Sequence, residues 1–185
     1  GDLKEAEISY RKAIAIDSNF SYAHSNLGII LKDLGKLKEA ELLQLRAIEL
    51  DPNFANAYLN LGNIFSDLEK LKEAEISTRK AISLKPDFAK AHSNLGSILI
   101  RLGKFQEAEL SVMKGIEFNP NIAKAYYALS ILNPSSNANR WQNTLFSKGI
   151  LNNQKKQDLV DIYFARANIL EENYNFSQAS NYLKK

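Results

Sequence analysis

Three of the four prolines in this chain stand 34 residues apart, at Pro52, Pro86 and Pro120. Gly28, Gly62 and Gly96 keep the same interval, and so do Ala40, Ala74 and Ala108. A fixed period of this length constrains the fold more than any other feature, because it calls for one supersecondary unit stacked on copies of itself. The aligned repeats begin at residues 21, 55 and 89, with SYAHSNLGIILKDLGKLKEAELLQLRAIELDPNF as the first. The 185 residues then amount to about five such repeats with no single core, and stability is expected to be roughly additive along the array.

Each repeat reads as two amphipathic helices. In the first, helix A covers roughly 21–34 and helix B roughly 37–50, with Leu27, Ile30, Leu31 and Leu34 at helical spacing. Gly35 and Gly103 fall between the helices, where a left-handed residue is needed, and Glu69 holds that place in the middle repeat. The prolines end helix B, since proline cannot continue a helix and biases the residue before it away from one. Gly28, Ala40 and Ala47 let the two helices approach closely, and larger side chains there would overpack the contact by about 1–3 kcal/mol.

Composition removes several chemistries. The chain has no Cys, which excludes disulfides, thiolate metal sites and Cys nucleophiles. Its two histidines, His24 and His92, lie two periods apart, about 20 Å in a stack with ~10 Å spacing, so no one site can use both. Both occupy a bulky repeat position and are expected to be packed. The glycines are never close enough for G-x-G-x-x-G or a P-loop. No metal, cofactor or catalytic constellation is expected, and the fragment is expected not to be an enzyme. No apolar run nears the ~20 residues that span a bilayer. The net charge is +3 with bases and acids interspersed, which argues against a nucleic-acid surface.

The pattern resembles the tetratricopeptide repeat (TPR) family. The residues that carry the resemblance are His24/Tyr58/His92, Leu27-Gly28, Leu61-Gly62, Leu95-Gly96, Ala40/Ala74/Ala108, Ala47/Ala81 and Pro52/Pro86/Pro120, with Gly115 replacing the last alanine. The resemblance implies an all-α, right-handed superhelical solenoid of antiparallel helix pairs. Residues 1–19 match a half repeat, helix B only, with Ala6 and Ala13 at the alanine positions. Residues 20–120 hold three regular repeats. Residues 121–157 form a degenerate fourth repeat broken at Asn133-Pro134-Ser135-Ser136-Asn137, with a helix expected at Arg140–Leu151 and a polar loop at 152–157. Residues 158–185 fit a final helix pair with Tyr163, Ala167, Leu170, Phe176 and Ala179 at repeat positions, and with Arg166 where Leu is usual. This tail is similar to the junction in bacterial TPR proteins that carry a sulfotransferase-like domain.

The polar signal is an asparagine series, Asn26, Asn60 and Asn94, each just before Leu-Gly. Asparagine is a poor helix-interior residue, so three such placements call for a reason. In TPR proteins this position points into the concave face, and the repeats resemble those of O-GlcNAc transferases, where the amides contact the backbone of an extended peptide. A carboxamide matches a peptide unit's donor and acceptor without reading its side chains. The other reading has these amides bridging neighbouring helices. The groove is expected to include Tyr22, Asn56, Asn63, Lys90, Ser97 and Arg101 as well.

Two functions follow as expectations. The first is a non-catalytic scaffold that binds a protein or an extended peptide. The second is the substrate-recruiting region of a larger glycosyl- or sulfotransferase-like enzyme whose catalytic domain lies outside this fragment. A clamp for a C-terminal carboxylate fits only Lys90 with Asn94. The array opens in an inter-helix loop and lacks polar caps, so end-to-end association is expected at high concentration. The absence of a visible targeting segment gives a cytoplasmic expectation.

Overall fold

The structure, a computed structural model, describes residues 3–132, 138–152 and 154–172. Among the described residues every regular element is helical. The chain divides into two compact units, Gly1–Pro86 and Asp87–Lys185.

The first unit contains α1 (Leu3–Ile16), α2 (Ser21–Asp33), α3 (Leu37–Leu50), α4 (Ala55–Asp67) and α5 (Leu71–Leu84). Helix α2 pairs with α3 and α4 with α5, while α1 packs on α2 and α3 on α4. The turn within each pair is short because one residue turns left-handed. Gly35 has φ 77°, and the Lys36 N–H behind it donates to the Leu31 carbonyl at 2.8 Å. Glu69 takes the same conformation at φ 60°, with Lys70 N–H donating to the Phe65 carbonyl at 2.9 Å. Helix α3 stops at Asp51, which is extended and precedes Pro52. The Asp51 carboxylate accepts the Asn53 N–H at 3.0 Å, and Asp17 accepts the Asn19 N–H at 2.9 Å. These side-chain turns return the chain towards the next helix A.

Leu27, Leu31 and Ile64 form the core of this unit, with Tyr10, Ile14, Leu34, Leu43 and Leu68 packed around them. A second cluster joins Ala47, Phe54 and Ala57. Gly28 lies so close to α3 that a Cβ there would sit 2.5 Å from the Gln44 amide nitrogen. Successive repeats are tied at the surface by Lys36 to Glu7 at 3.3 Å and Lys70 to Glu41 at 3.1 Å. The hydrogen bond from Arg11 and the neighbouring Lys36 ammonium hold the Glu7 carboxyl below the usual carboxylate range.

The second unit contains α6 (Ala89–Arg101), α7 (Phe105–Phe118), α8 (Ala123–Leu132), α9 (Ala138–Phe146), a 3-10 turn (Gly149–Leu151) and α10 (Lys156–Glu172). Helices α6 and α7 form a regular pair, and α8 packs principally against α10. The core is larger here, with Tyr126, Leu129, Trp141, Leu145, Ile150, Ile162 and Ile169 all buried together. The stretch expected as one helix over Arg140–Leu151 divides into α9 and the 3-10 turn. At the break the Ser147 hydroxyl donates to the Thr144 carbonyl at 2.8 Å and accepts the Ile150 N–H at 3.4 Å. A side-chain oxygen placed there competes with continued helical bonding. Helix α10 begins at Lys156, so the polar connection ends two residues sooner than the sequence suggests.

Arg166 shows how the irregular repeat closes. It is only 4% exposed, and its guanidinium donates to the carbonyls of Leu145 at 2.8 Å and Ser147 at 2.8 Å. The rings of Phe146 and Tyr163 lie 5.7 and 5.9 Å from it. The residue that departs from the repeat pattern thus satisfies the last carbonyls of the inserted helix. The sequence break at 133–137 and the second helix of the final pair, with Phe176 and Ala179, lie outside the described residues.

Candidate functional site on the helix A faces

In the first unit Asn26 and Asn60 are both half-buried, on α2 and α4. Between them lies Ser25, which is 1% exposed. Its hydroxyl donates to Gln44 Oε1 at 2.9 Å, and Gln44 Nε2 donates back to the Ser25 carbonyl at 2.7 Å. Asn60 Nδ2 donates to Ser25 Oγ at 3.2 Å. One amide of the series therefore bridges α4 to α2, as the second reading of the series had it. The bridge uses only one N–H. The Asn60 carbonyl oxygen and its other N–H are uncommitted among the described residues, and Asn26 makes no hydrogen bond among them.

Tyr22 stands at the entrance of α2, 54% exposed, with its ring 4.5 Å from that of Phe54 and 6.3 Å from that of Phe20. Asn56 is exposed and Asn63 half-buried, both on α4. Lys32 reaches Asp67 at 3.6 Å and Asp33 at 3.4 Å, so these rim acids face a cation of their own. In the second unit, Asn94 and Ser97 are half-buried on α6, with Lys90 and Arg101 exposed at its two ends. The Ser97 hydroxyl folds back onto the Ser93 carbonyl at 3.3 Å. Ser25, Leu59 and Ser93, which the helix A pattern places beside the asparagines, are buried and offer nothing to a ligand directly.

The Ser25–Gln44 pair is the part the sequence concealed. Gln44 is wholly buried on helix B, where Thr78 and Val112 stand in the later repeats. A polar residue on the inner face of helix B is the signal that could have found it, because a buried amide needs partners.

The histidines are structural. His24 Nε2 lies 2.9 Å from the Ser18 carbonyl, an acceptor, so Nε2 carries the proton. Tyr126, at the equivalent position, donates its hydroxyl to the Pro120 carbonyl at 2.7 Å, the same six residues back. This tie fastens helix A to the turn before it, and burial pushes the Tyr126 phenol up to about 12. His92 packs on Phe118 with ring centroids 5.5 Å apart. On α10, burial raises the Asp161 carboxyl above the usual range, aided by the like charge of Asp158 and opposed by Lys124. Among the described residues no group of three or more His, Asp or Glu could hold a metal ion, and no helix is long and apolar enough to cross a membrane.

Known proteins give the geometry its context. A family profile described as TPR repeat matches residues 30–69, and profiles described as tetratricopeptide repeat match 9–41, 55–88 and 89–122. No curated protein sequence matches. Among solved structures, pilF of Pseudomonas aeruginosa superposes with a TM-score of 0.77 at 18% identity, over 97% of this chain and 81% of that one. YrrB, described as a TPR protein with an unusual peptide-binding site, superposes at 0.63 with 22% identity, over 95% and 89%. The first TPR of Spaghetti (RPAP3), bound to the HSP90 peptide SRMEEVD, superposes at 0.61 with 25% identity, over 63% and 93%. With repeats matched continuously from residue 9 to 122 and a fold of stacked helix pairs, this chain belongs to the tetratricopeptide repeat family.

Proposed function

We propose that the chain is a non-catalytic scaffold that binds an extended peptide or protein segment along its helix A faces, with Asn26, Asn60 and Asn94 as the recurring contacts. The observation that carries this reading is the half-used amide of Asn60. One N–H fixes its orientation against Ser25, and the remaining acceptor and donor are left at a half-exposed position. That leaves the pair of groups a peptide backbone offers in complement. Tyr22 and Asn56 in the first unit would supply side-chain contact, and Asn63 a further amide. In the second unit Lys90, Ser97 and Arg101 would favour a ligand segment with acidic character. Two structurally similar TPR proteins are described as peptide-binding, which supports the same use of the fold here. End-to-end association of copies remains part of the proposal at high protein concentration.

A peptide-display screen followed by fluorescence polarisation tests it. Each amide bond to the ligand is worth about 0.5–1.5 kcal/mol, so Asn26→Ala and Asn60→Ala should each weaken a selected peptide by roughly two- to twelvefold. Unchanged affinity in both variants would remove the asparagines from the binding role.

A further inference from the structure

Helix B carries a pattern of its own on the side away from its partner. Ile8 on α1, Leu42 on α3 and Ile76 on α5 are 55%, 67% and 69% exposed, at the 34-residue interval. Isolated exposed apolar residues are ordinary. These are not isolated, and they persist where other exposed positions of the same helices drift. One such position runs Ala15, Glu49, Ser83, and another Arg11, Leu45, Arg79.

Their surroundings are equally regular. Four residues before and after each, on the same helix face, stand exposed cations: Lys4 and Lys12, Lys38 and Arg46, Lys72 and Lys80. Lys12, Lys38, Lys72 and Lys80 have no acidic partner among the described residues. Several acids of these helices are engaged elsewhere, Glu7 by Arg11 and Lys36, Glu41 by Lys70, and Glu75 by Arg79. Exposed Glu5 and Glu73 border the stripe along one edge only. The rungs are neighbours, since Arg11 of α1 reaches Glu39 of α3 at 3.5 Å and Lys70, at the entry to α5, reaches Glu41 of α3. The second unit repeats the arrangement at Leu110, 65% exposed, with Lys114 four residues on.

We propose that the outward faces of α1, α3 and α5 form a second docking surface, separate from the helix A faces, for an acidic amphipathic helix of a partner protein. Charge sets the sign of the ligand, because each apolar rung lies between two cations. Spacing sets its form. Neighbouring packed helices lie about 8–10 Å apart. A ligand helix laid across them climbs about 1.5 Å per residue and presents the same face every seventh residue, about 10.5 Å on. The ligand therefore carries an apolar residue at every seventh position with carboxylates one turn to either side. A broad anionic membrane fits less well, since it would also meet the acidic border.

The test uses a labelled three-heptad peptide with Leu at every seventh position and Glu three and four residues to either side. A shuffled peptide of the same composition is its control. Fluorescence polarisation should show saturable binding of the first peptide that weakens with salt. Leu42→Gln with Ile76→Gln, both at exposed positions that leave packing intact, should weaken it about tenfold or more. Lys38→Glu with Lys72→Glu should do likewise. Asn26→Ala with Asn60→Ala should leave it unchanged, which separates this surface from the proposed groove. Equal binding of the shuffled peptide, or full affinity in the Leu42/Ile76 variant, overturns the proposal. So does loss in the asparagine variant, or binding to phosphatidylserine vesicles in place of the peptide.

Discussion

Asn60 of one repeat hydrogen-bonds the buried Ser25 hydroxyl of the repeat before it, and Ser25 in turn is held by Gln44 on helix B. A single residue type thus joins neighbouring helices and offers a face to a ligand, two roles that a binding assay alone would merge. Stability separates them. Asn60→Ala should lower unfolding stability by about 0.5–1.5 kcal/mol through loss of the bridge. Asn26→Ala, with no bond among the described residues, should stay within about 0.5 kcal/mol of the parent. Urea unfolding of both variants, paired with peptide titrations, tests the division; equal destabilisation would place both amides in the same structural role.

Gly28 and Gln44 should be coupled. Alanine at 28 places its methyl against the Gln44 amide nitrogen and 3.3 Å from the Ala40 carbonyl, so the amide must leave Ser25. Gly28→Ala should cost about 2–3 kcal/mol, the sum of overpacking and a broken buried bond. Gln44→Ala removes the obstacle, so in its background the glycine substitution should cost at least 1 kcal/mol less, by about the size of coupling that residues in contact show. A double-mutant cycle by chemical denaturation measures this, and additive effects would show that the amide is not what the methyl displaces.

Glu69 and Gly35 occupy the same left-handed turn with different residues. Glu69→Gly should raise stability by about 0.5–1 kcal/mol, the relief of the left-handed conformation less the added freedom of the unfolded chain. The reciprocal Gly35→Ala should lower it by about 1–2 kcal/mol. No atom lies within 4 Å of a Cβ at Gly35, so the second change tests conformation without packing. Thermal melts of the two variants shifting in opposite directions would establish the point; a shift in the same direction would refute it.

What the sequence disclosed depended on whether a residue answered to the period. Gly28, Ala40, Pro52 and their counterparts each solve a local problem that recurs, so their spacing gave away the helix pairs and the turns between them. Glu69 was legible as a left-handed residue only because Gly35 and Gly103 showed what its position required. Gln44 was not legible. Its partner Ser25 is on another helix, and Thr78 and Val112 fill the corresponding space by other means, so no regularity announces it. The break in α9 at Ser147 is equally local, a hydroxyl turning back on its own helix where the repeat no longer dictates the spacing. The asparagine series was visible as a series, while the division of its hydrogen bonds between helix and solvent needed the positions of the neighbouring hydroxyls.

Arg166 shows the same limit and yields the last prediction. A leucine at this position would restore the repeat pattern, and by hydrophobicity alone the buried site should accept it. The structure argues the reverse, because the guanidinium satisfies the Leu145 and Ser147 carbonyls and lies against Phe146 and Tyr163. Arg166→Leu should destabilise the second unit by about 3 kcal/mol, leaving two carbonyls without their donors. Arg166→Lys keeps the charge but not the planar fork, and should recover less than half of that loss. The Trp141 fluorescence transition reports this unit directly, since Trp141 is the chain's one tryptophan and lies in its core. A leucine variant that melts at or above the parent would show that Arg166 is replaceable by repeat-like packing and that α9 does not depend on it.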